Sequence, residues 1–205
     1  MSSKPEKSLN IVITGVGGQG NVTLSRLIGE SVIKENKYIT IGETFGASQR
    51  GGSVMSHLRI GSSKIYSPVI PLKKADIIIG LEPVETLRVL LIYGNKNITT
   101  ISNSKPLVFA NALSGEINYP ETSVLKEKIN LLSKKTIFDN FTEMGIKEGH
   151  HLLSNSIISG VLSGFKIIRG FNQQSFTNTI KKYYSEKTLD KNIEAFLKGV
   201  KIAQT

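Results

Sequence analysis

A glycine-rich turn near the start of the chain is the first pattern that could do chemistry. Gly15, Gly17 and Gly20 match the spacing G-x-G-x-x-G between an apolar segment and an amphipathic one, the strand–turn–helix context of a dinucleotide fingerprint. Such a turn brings backbone N–H groups and a helix N-terminus close to a phosphate. The same glycines could equally serve close helix–sheet packing alone. The ligand-binding interpretation assigns cofactor contacts to Gly17, Gly18, Gln19 and Gly20.

An acidic residue and a second glycine-rich segment follow this turn. Glu43 ends a predicted second strand about 20 residues after the fingerprint, where an acidic side chain would meet the ribose of a dinucleotide. A dinucleotide fold would pass from this strand directly into a helix, but residues 44–52 are polar and lack hydrophobic periodicity, which predicts an ordered loop. The candidate binding residues in and after this loop are Ser48, Gln49, Arg50, Gly51, Gly52 and Ser53.

Arg50 is the strongest candidate in that loop. Its guanidinium group is a planar fork of donors that matches a carboxylate, a phosphate or an acidic side chain of a partner. Gly51 and Gly52 permit backbone conformations that a Cβ atom disfavours, so the loop can be shaped around an external group. The alternative is an arginine that forms an ion pair within the fold.

Other catalytic patterns are weak. The chain has no cysteine, which excludes disulfides, a thiolate nucleophile and every Cys-held zinc or iron–sulfur site. His150 and His151 are adjacent, so on a helix or a strand their rings would point in different directions, and we predict no metal site. Asp139 and Glu143 resemble an acid/base pair, but N-capping of a helix by Asp139 or Asn140 explains the pattern better.

The elements that must position these residues alternate between strands and helices, which predicts an α/β fold. The predicted strands are 9–14, 38–43, 75–80, 97–102, 106–110 and 134–139, and the first two begin a βαβ unit. A β-hairpin is predicted over 53–67, with its turn at 61–63. Helices are predicted after Gly20, after Pro83 and at 123–132, 152–165, 173–185 and 188–202, and the small residues of 152–165 allow close packing on a neighbour. We expect a Rossmann-like three-layer domain spanning 1–205, with a mainly parallel sheet, a hairpin insertion and C-terminal helices.

The charge balance is strongly basic but evenly spread. The 205 residues include 26 Lys and Arg against 16 Asp and Glu, a formal net charge of +10. Nucleic-acid binding needs clustered charge, and no basic tract is present, so we expect a solvated lysine-rich surface. No apolar run reaches the ~20 residues of a membrane span, and the N-terminus lacks the apolar stretch of a signal peptide. The sequence predicts a cytoplasmic protein.

In order and spacing, these motifs resemble the gamma-type subunit family of 2-oxoacid:ferredoxin oxidoreductases. The resemblance rests on GVGGQG at 15–20, GASQRGGS at 46–53, VMSHLRIG at 54–61 and LEP at 81–83, and it extends over roughly 10 to 88. The element around Gln49 and Arg50 is more specific than the glycine turn. Within this family, the sequence is similar to the small (beta) subunit of indolepyruvate ferredoxin oxidoreductases.

The resemblance implies a heteromeric enzyme that oxidatively decarboxylates aryl pyruvates to acyl-CoA and passes electrons to ferredoxin. In that family, thiamine diphosphate and [4Fe-4S] clusters belong to the large (alpha) subunit, and coenzyme A is a co-substrate. This chain would then hold no cofactor alone, which agrees with its lack of cysteine. The glycine turn and the loop around Arg50 would face the subunit interface and the approach of coenzyme A or the oxoacid. The implied partners exclude nucleic acid and membrane.

Two alternatives stay open at this point. The fingerprint and Glu43 would also suit a stand-alone NAD(P)- or FAD-dependent oxidoreductase, although the loop after the second strand argues against it. The net charge would also suit a basic nucleic-acid-binding module. The residues leave undecided which 2-oxoacid is used, whether coenzyme A touches this chain, the stoichiometry of the complex and the role of His150 and His151.

Overall fold

One six-stranded sheet forms the centre of the protein. A computed structural model describes residues 8–33, 37–45, 52–61, 65–107 and 119–204. In this part of the chain, the strands lie in the order β2-β3-β1-β4-β5-β6. Their bounds are β1 Leu9–Val16, β2 Tyr38–Phe45, β3 Ser53–Gly61, β4 Ile77–Gly80, β5 Thr99–Asn103 and β6 Lys135–Asp139.

Seven helices within these ranges cover the two faces of the sheet. They are α1 Asn21–Val32, α2 Pro83–Tyr93, α3 Thr122–Leu132, α4 Phe141–Lys147, α5 Leu153–Gly164, α6 Gln173–Ile180 and α7 Glu186–Ile202. The predicted helix 173–185 is therefore shorter than expected, and α4 was not predicted. None of the described helices is both long enough and apolar enough to span a bilayer.

The directions of the strands confirm a mainly parallel sheet with a hairpin insertion. β1, β4, β5 and β6 pair in parallel, whereas β3 is antiparallel to both β1 and β2. Five strands therefore run in one direction and β3 alone runs in the other. The βαβ unit predicted at the start of the chain does not have adjacent strands, because β3 lies between β1 and β2 in the sheet.

The partner predicted for β3 was wrong. The hairpin is formed by β2 and β3, and residues 65–67 form no strand. Pairing with β2 places Ile39 opposite Ile60 and Ile41 opposite Leu58, which extends the apolar face of β1 across the sheet. Residues 64–67 offer no comparable apolar alternation. The predicted strand 106–110 also lacks support, because 106 and 107 are not in a strand and 108–110 lie outside the described residues.

Alternate residues of the central strands pack into two apolar cores, one on each face of the sheet. On one face, Ile11 and Ile13 pack with α1 and α4–α7. On the other face, Val12 and Ile78 pack with α2, α3 and Ile70. With the sheet between them, these two layers of helices complete the three-layer domain expected from the sequence.

The closest helix–helix contact joins α5 and α7, as the small residues of α5 predict. A Cβ atom on Gly160 would overlap the carbonyl oxygen of Phe196, and one on Gly199 would overlap that of Ile157. Gly160→Ala should therefore push the two helices apart and lower the free energy of unfolding by about 2 kcal/mol in chemical denaturation.

Gly29→Ala is the matched control for that substitution. Gly29 is also a buried helical glycine, but its Cβ would meet side-chain methyl groups, the nearest at 3.2 Å on Ile39. These methyl groups can shift, and alanine favours the helix by about 1 kcal/mol relative to glycine. Equal stability of the Gly160→Ala and Gly29→Ala variants would contradict the close backbone contact.

Candidate functional site

The glycine turn joins the end of β1 to α1 and has the conformation that only glycine adopts easily. Gly18 and Gly20 have φ values of 99° and 86°, in the left-handed region. A Cβ atom on Gly18 would project into open space, whereas one on Gly20 would collide with the side-chain nitrogen of Asn155. Gly20 therefore serves close packing with α5, and Gly18 faces a space that a ligand can enter.

The Gln19 side chain holds the turn in shape. Its Oε1 accepts a hydrogen bond from the Val16 N–H at 2.8 Å, and its Nε2 donates to the Leu81 carbonyl oxygen at 2.9 Å. Both ends of the amide are therefore used to tie the turn to the loop after β4. Gln19 positions the site instead of presenting its side chain to a ligand.

Only part of the backbone of the turn remains available to an anion. The Gly17 N–H donates to the Gly52 carbonyl oxygen at 3.0 Å, and the Gln19 N–H donates to that of Val16 at 3.1 Å. Among the described residues, the N–H groups of Gly18 and Gly20 have no acceptor. The first turn of α1, which follows them, has no side-chain cap. An anion would therefore meet the N–H groups of Gly18 and Gly20 and the N-terminus of α1.

The second predicted segment reaches the same place at its C-terminal end. Ser48, Gln49, Arg50 and Gly51 lie outside the described residues. Gly52 contacts Gly17 as above, and the Ser53 hydroxyl donates to Glu85 at 2.6 Å. The end of this segment is thus fixed both to the glycine turn and to α2.

Two cavities flank the glycine turn, with volumes of about 350 and 440 Å³. Both are lined by Gly17, Gly18, Leu152 and Asn155. The first extends towards the residues that follow β5 and towards the start of α5, with Asn103, Lys105, Thr142 and His151 on its walls. The second extends along the start of α1 to Val54 and Tyr184. No described lining residue of either cavity is acidic, so both suit an anionic or neutral ligand.

Asn155 is a site residue that sequence reasoning did not assign. The residue is 6% exposed, and its side-chain Nδ2 donates to the Gln19 carbonyl oxygen at 3.2 Å. Its Oδ1 is buried without a hydrogen-bond partner in the described part of the protein. A buried acceptor of this kind is costly unless a donor reaches it, and Asn155 lines both cavities. The only signal in the sequence is an amide within a helix of otherwise small and apolar residues.

Glu43 is not brought to this site. It lies on β2, paired opposite Ser56 of β3, and β3 separates it from β1 and the glycine turn. A ribose-binding acid in a dinucleotide fold lies on the strand next to β1. The ribose role predicted for Glu43 is therefore wrong for this sheet order, which also weakens the interpretation as a stand-alone NAD(P) or FAD enzyme.

Two buried carboxylates lie at the start of α2, beside the glycine turn. Glu82 is fully buried, accepts a hydrogen bond from the Tyr119 hydroxyl, and caps α2 by accepting from the Glu85 N–H at 2.8 Å. Burial raises the pKa of the Glu82 carboxyl, and the hydrogen bonds from Tyr119 and Glu85 oppose that rise. Glu85 pairs with Arg88 and accepts from Ser53. These contacts identify Glu82 and Glu85 as anchors for the segments that meet at the site.

The three histidines lie at two separate places in the described fold. His57 is buried on β3, its Nδ1 accepts from the Ile70 N–H at 3.4 Å, and burial together with the nearby Arg59 charge lowers its pKa. His150 and His151 lie between α4 and α5, in neither a helix nor a strand, and their ring centroids are 4.3 Å apart. In the described ranges, no group of three or more potential ligands could hold a metal ion.

Asn140 caps α4 by accepting from the Glu143 N–H at 2.9 Å, as predicted.

Comparison with known sequences gives a consistent result. The model of the family described as pyruvate ferredoxin/flavodoxin oxidoreductase matches residues 10–202. A protein of Archaeoglobus fulgidus named indolepyruvate oxidoreductase subunit IorB is 34% identical over 191 residues, which are 93% of each chain. Its namesake in Thermococcus kodakarensis is 33% identical over 97% of each chain.

Solved structures share the fold at low sequence identity. The pyruvate oxidoreductase subunit PORC of Thermotoga maritima superimposes with a TM-score of 0.71 over 96% of this chain and 97% of that one, at 16% identity. The 2-oxoglutarate:ferredoxin oxidoreductase of Magnetococcus marinus, solved with 2-oxoglutarate, coenzyme A and succinyl-CoA bound, gives 0.69 over 97% of this chain, at 18% identity. This chain corresponds to only 31% of that longer chain.

Proposed function

The chain belongs to the pyruvate ferredoxin/flavodoxin oxidoreductase family, and from this premise we propose that it is the small subunit of an indolepyruvate ferredoxin oxidoreductase. The observation that carries the proposal is the similarity to the IorB protein of Archaeoglobus fulgidus across 93% of both chains. The complex would oxidatively decarboxylate aryl pyruvates to acyl-CoA. Residues 1–205 would form one gamma-type domain of that complex, in the cytoplasm.

The composition of the chain supports a division of work between the subunits. Electron transfer to ferredoxin needs a redox centre, and a chain without cysteine cannot hold a thiolate-ligated iron–sulfur cluster. We therefore assign the [4Fe-4S] clusters to the large (alpha) subunit, and the family resemblance assigns thiamine diphosphate to the same subunit. Ferredoxin would receive electrons from the complex, and this chain alone would have no catalytic activity.

The contribution of this chain would be an anion site beside the glycine turn. The N–H groups of Gly18 and Gly20 and the first turn of α1 would bind a phosphate of coenzyme A or the carboxylate of the oxoacid. Lys105 adds a positive charge to the wall of the first cavity, and Asn155 offers a buried acceptor to a donor of the ligand. Gln19 and the Gly17–Gly52 contact would keep the turn open for this purpose.

The segment that ends at Ser53 would bring its own residues to the same place. Ser48, Gln49, Arg50 and Gly51 precede Gly52, whose carbonyl oxygen is bonded to the glycine turn. Because that contact fixes the end of the segment at the site, we place Arg50 at the interface with the large subunit or at the bound ligand. The charge on its guanidinium group would complement a phosphate or a carboxylate.

A pair of substitutions at Gly18 tests the anion site. Gly18→Asp in the assembled enzyme should raise KM for coenzyme A or for the oxoacid about tenfold, because a negative charge then faces the ligand. Steady-state kinetics with each substrate varied in turn measures the effect.

Gly18→Asn is the control for that experiment. Asparagine has nearly the same shape as aspartate and tolerates the positive φ of Gly18 comparably, so the two variants differ mainly in charge. If both variants show the same KM values for coenzyme A and the oxoacid, the turn does not bind an anion.

A further inference from the structure

A third cavity, of about 340 Å³, lies between the start of α5 and the first turns of α7. Leu152 and Tyr184 line both this cavity and the second one, so the two spaces adjoin along these side chains. None of the described residues that line the third cavity is acidic. Its polar side chains are His150, Tyr184, Thr188, Lys191 and Asn192. The cavity therefore suits an anionic group, next to the anion site at the glycine turn.

Lys191 supplies the positive charge of the third cavity. A Cβ atom on Gly149 would lie 3.0 Å from the Lys191 Nζ, so the ammonium group rests against the backbone of the turn before α5. Gly149 has a φ of 119°, in the left-handed region that favours glycine. The adjacent acid, Glu148, pairs with Lys198, and Lys191 forms no ion pair with any described acid. Its charge is thus available to an anion.

Two neutral side chains add hydrogen-bond donors to this wall. The His150 Nδ1 accepts from the Leu152 N–H at 3.2 Å, so in the neutral ring the proton is on Nε2. Burial raises the pKa of the Tyr184 hydroxyl, which stays protonated at neutral pH and has no hydrogen-bond partner among the described residues. By contrast, both ends of the Asn192 amide are used within the fold. The cavity offers one positive charge and two donors that the fold does not use.

The two candidate ligands of the glycine turn differ in the number of their anionic groups. A 2-oxoacid with an aryl side chain has one carboxylate, which a single anion site would bind. Coenzyme A has a diphosphate and a separate 3′-phosphate on the same ribose, so it needs two anion sites close together. The second and third cavities adjoin, and no described lining residue of either is acidic. This arrangement matches coenzyme A better than the oxoacid.

We propose that the third cavity binds the 3′-phosphate of coenzyme A through Lys191, His150 and Tyr184, while the diphosphate binds at the glycine turn. The inference rests on the proposed function and deepens it, because it selects coenzyme A over the oxoacid as the ligand of this chain. Lys191 pairs with the charge of the phosphate, and His150 and Tyr184 donate hydrogen bonds to its oxygens. His150, whose role the sequence left undecided, is thereby assigned to ligand binding.

Dephospho-coenzyme A lacks only the 3′-phosphate and is the probe for this subsite. In the assembled enzyme, KM should be about tenfold lower for coenzyme A than for dephospho-coenzyme A. Lys191→Ala should raise KM for coenzyme A about tenfold and leave KM for dephospho-coenzyme A and for indolepyruvate unchanged. Isothermal titration calorimetry of the assembled enzyme with both forms of the coenzyme measures the same differences as Kd, without turnover.

Lys187→Ala is the matched control and should behave like the wild type. It removes the same charge from an exposed position one turn earlier on α7, and Lys187 does not line the cavity. If Lys187→Ala and Lys191→Ala have equal effects, overall charge explains them and the subsite is wrong.

The other outcomes separate the subsite from the function itself. If the enzyme turns over but does not distinguish the two forms of the coenzyme, the subsite is wrong and the proposed function stands. The same conclusion follows if Lys191→Ala raises KM equally for both forms. Failure of the assembled wild-type enzyme to turn over indolepyruvate with coenzyme A overturns both the subsite and the proposed function.

Discussion

Glu82→Ala is expected to lower the free energy of unfolding by about 3 kcal/mol. The substitution removes a fully buried carboxylate and leaves the Tyr119 hydroxyl and the Glu85 N–H without an acceptor. Loss of the Glu85 N–H bond, which is the cap of α2, costs about 1 kcal/mol, and the Tyr119 hydroxyl left without its acceptor adds about 1–3 kcal/mol. Chemical denaturation of the isolated chain measures the loss. Unchanged stability would contradict the role of Glu82 as an anchor.

Glu82→Gln is the conservative partner of that variant, and it isolates the effect of charge. Burial raises the pKa of Glu82 in the folded state above its unfolded value. For an acid, this means that the folded state holds the proton more tightly, so its stability contribution is complete below the unfolded pKa and is lost as pH rises through the folded pKa. Across that window, the wild type should lose stability relative to Glu82→Gln. Parallel stability–pH curves for the two proteins would show that Glu82 does not titrate there.

Arg50→Ala is expected to leave the melting temperature of the isolated chain nearly unchanged and to weaken assembly or turnover by about 2 to 5 kcal/mol. The reason is that Gly52 and Ser53 fix the end of the segment to the glycine turn and to Glu85, independently of Arg50. In the proposed assembly, the arginine would contact a partner or ligand instead. Thermal unfolding of the chain and binding of the large subunit are measured on the same preparation.

Arg59→Ala provides the contrast that this prediction needs. Arg59 is buried and donates to Asn10, Ser67 and Val69, so its loss should lower the melting temperature of the isolated chain strongly. If Arg50→Ala behaves like Arg59→Ala and still assembles normally, Arg50 is an internal structural residue and not an interface or ligand residue.

The sequence was most informative where one segment determines its own structure. The strand, glycine turn and helix from Leu9 to Val32 were predicted because apolar spacing and the glycines act locally. The position of β3 was not predicted. Pairing of 53–61 with 38–45 depends on apolar contacts across the whole sheet, which neither segment shows by itself. The same limit explains the error on Glu43, since its distance from the turn depends on sheet order and not on its own strand.

Long-range contacts explain what was missed at the site. Asn155 meets Gln19 across 136 positions in the chain, and neither residue carries a local signal of that contact. Gln19 was predicted as a ligand residue by its place in the motif, but the Val16 N–H and the Leu81 carbonyl oxygen use both ends of its amide. The paired rings of His150 and His151 follow from a turn that periodicity does not predict.

Reduction of a viologen acceptor is the most direct test that this chain is a subunit and not an enzyme by itself. The purified chain is mixed with thiamine diphosphate, coenzyme A and indolepyruvate, and the large subunit is added after a baseline is recorded. We expect no reduction before that addition, because the chain has no cysteine to hold a redox centre, and steady turnover after it. Turnover by the chain alone would contradict the assignment, as would the absence of turnover after the addition with several aryl and aliphatic 2-oxoacids.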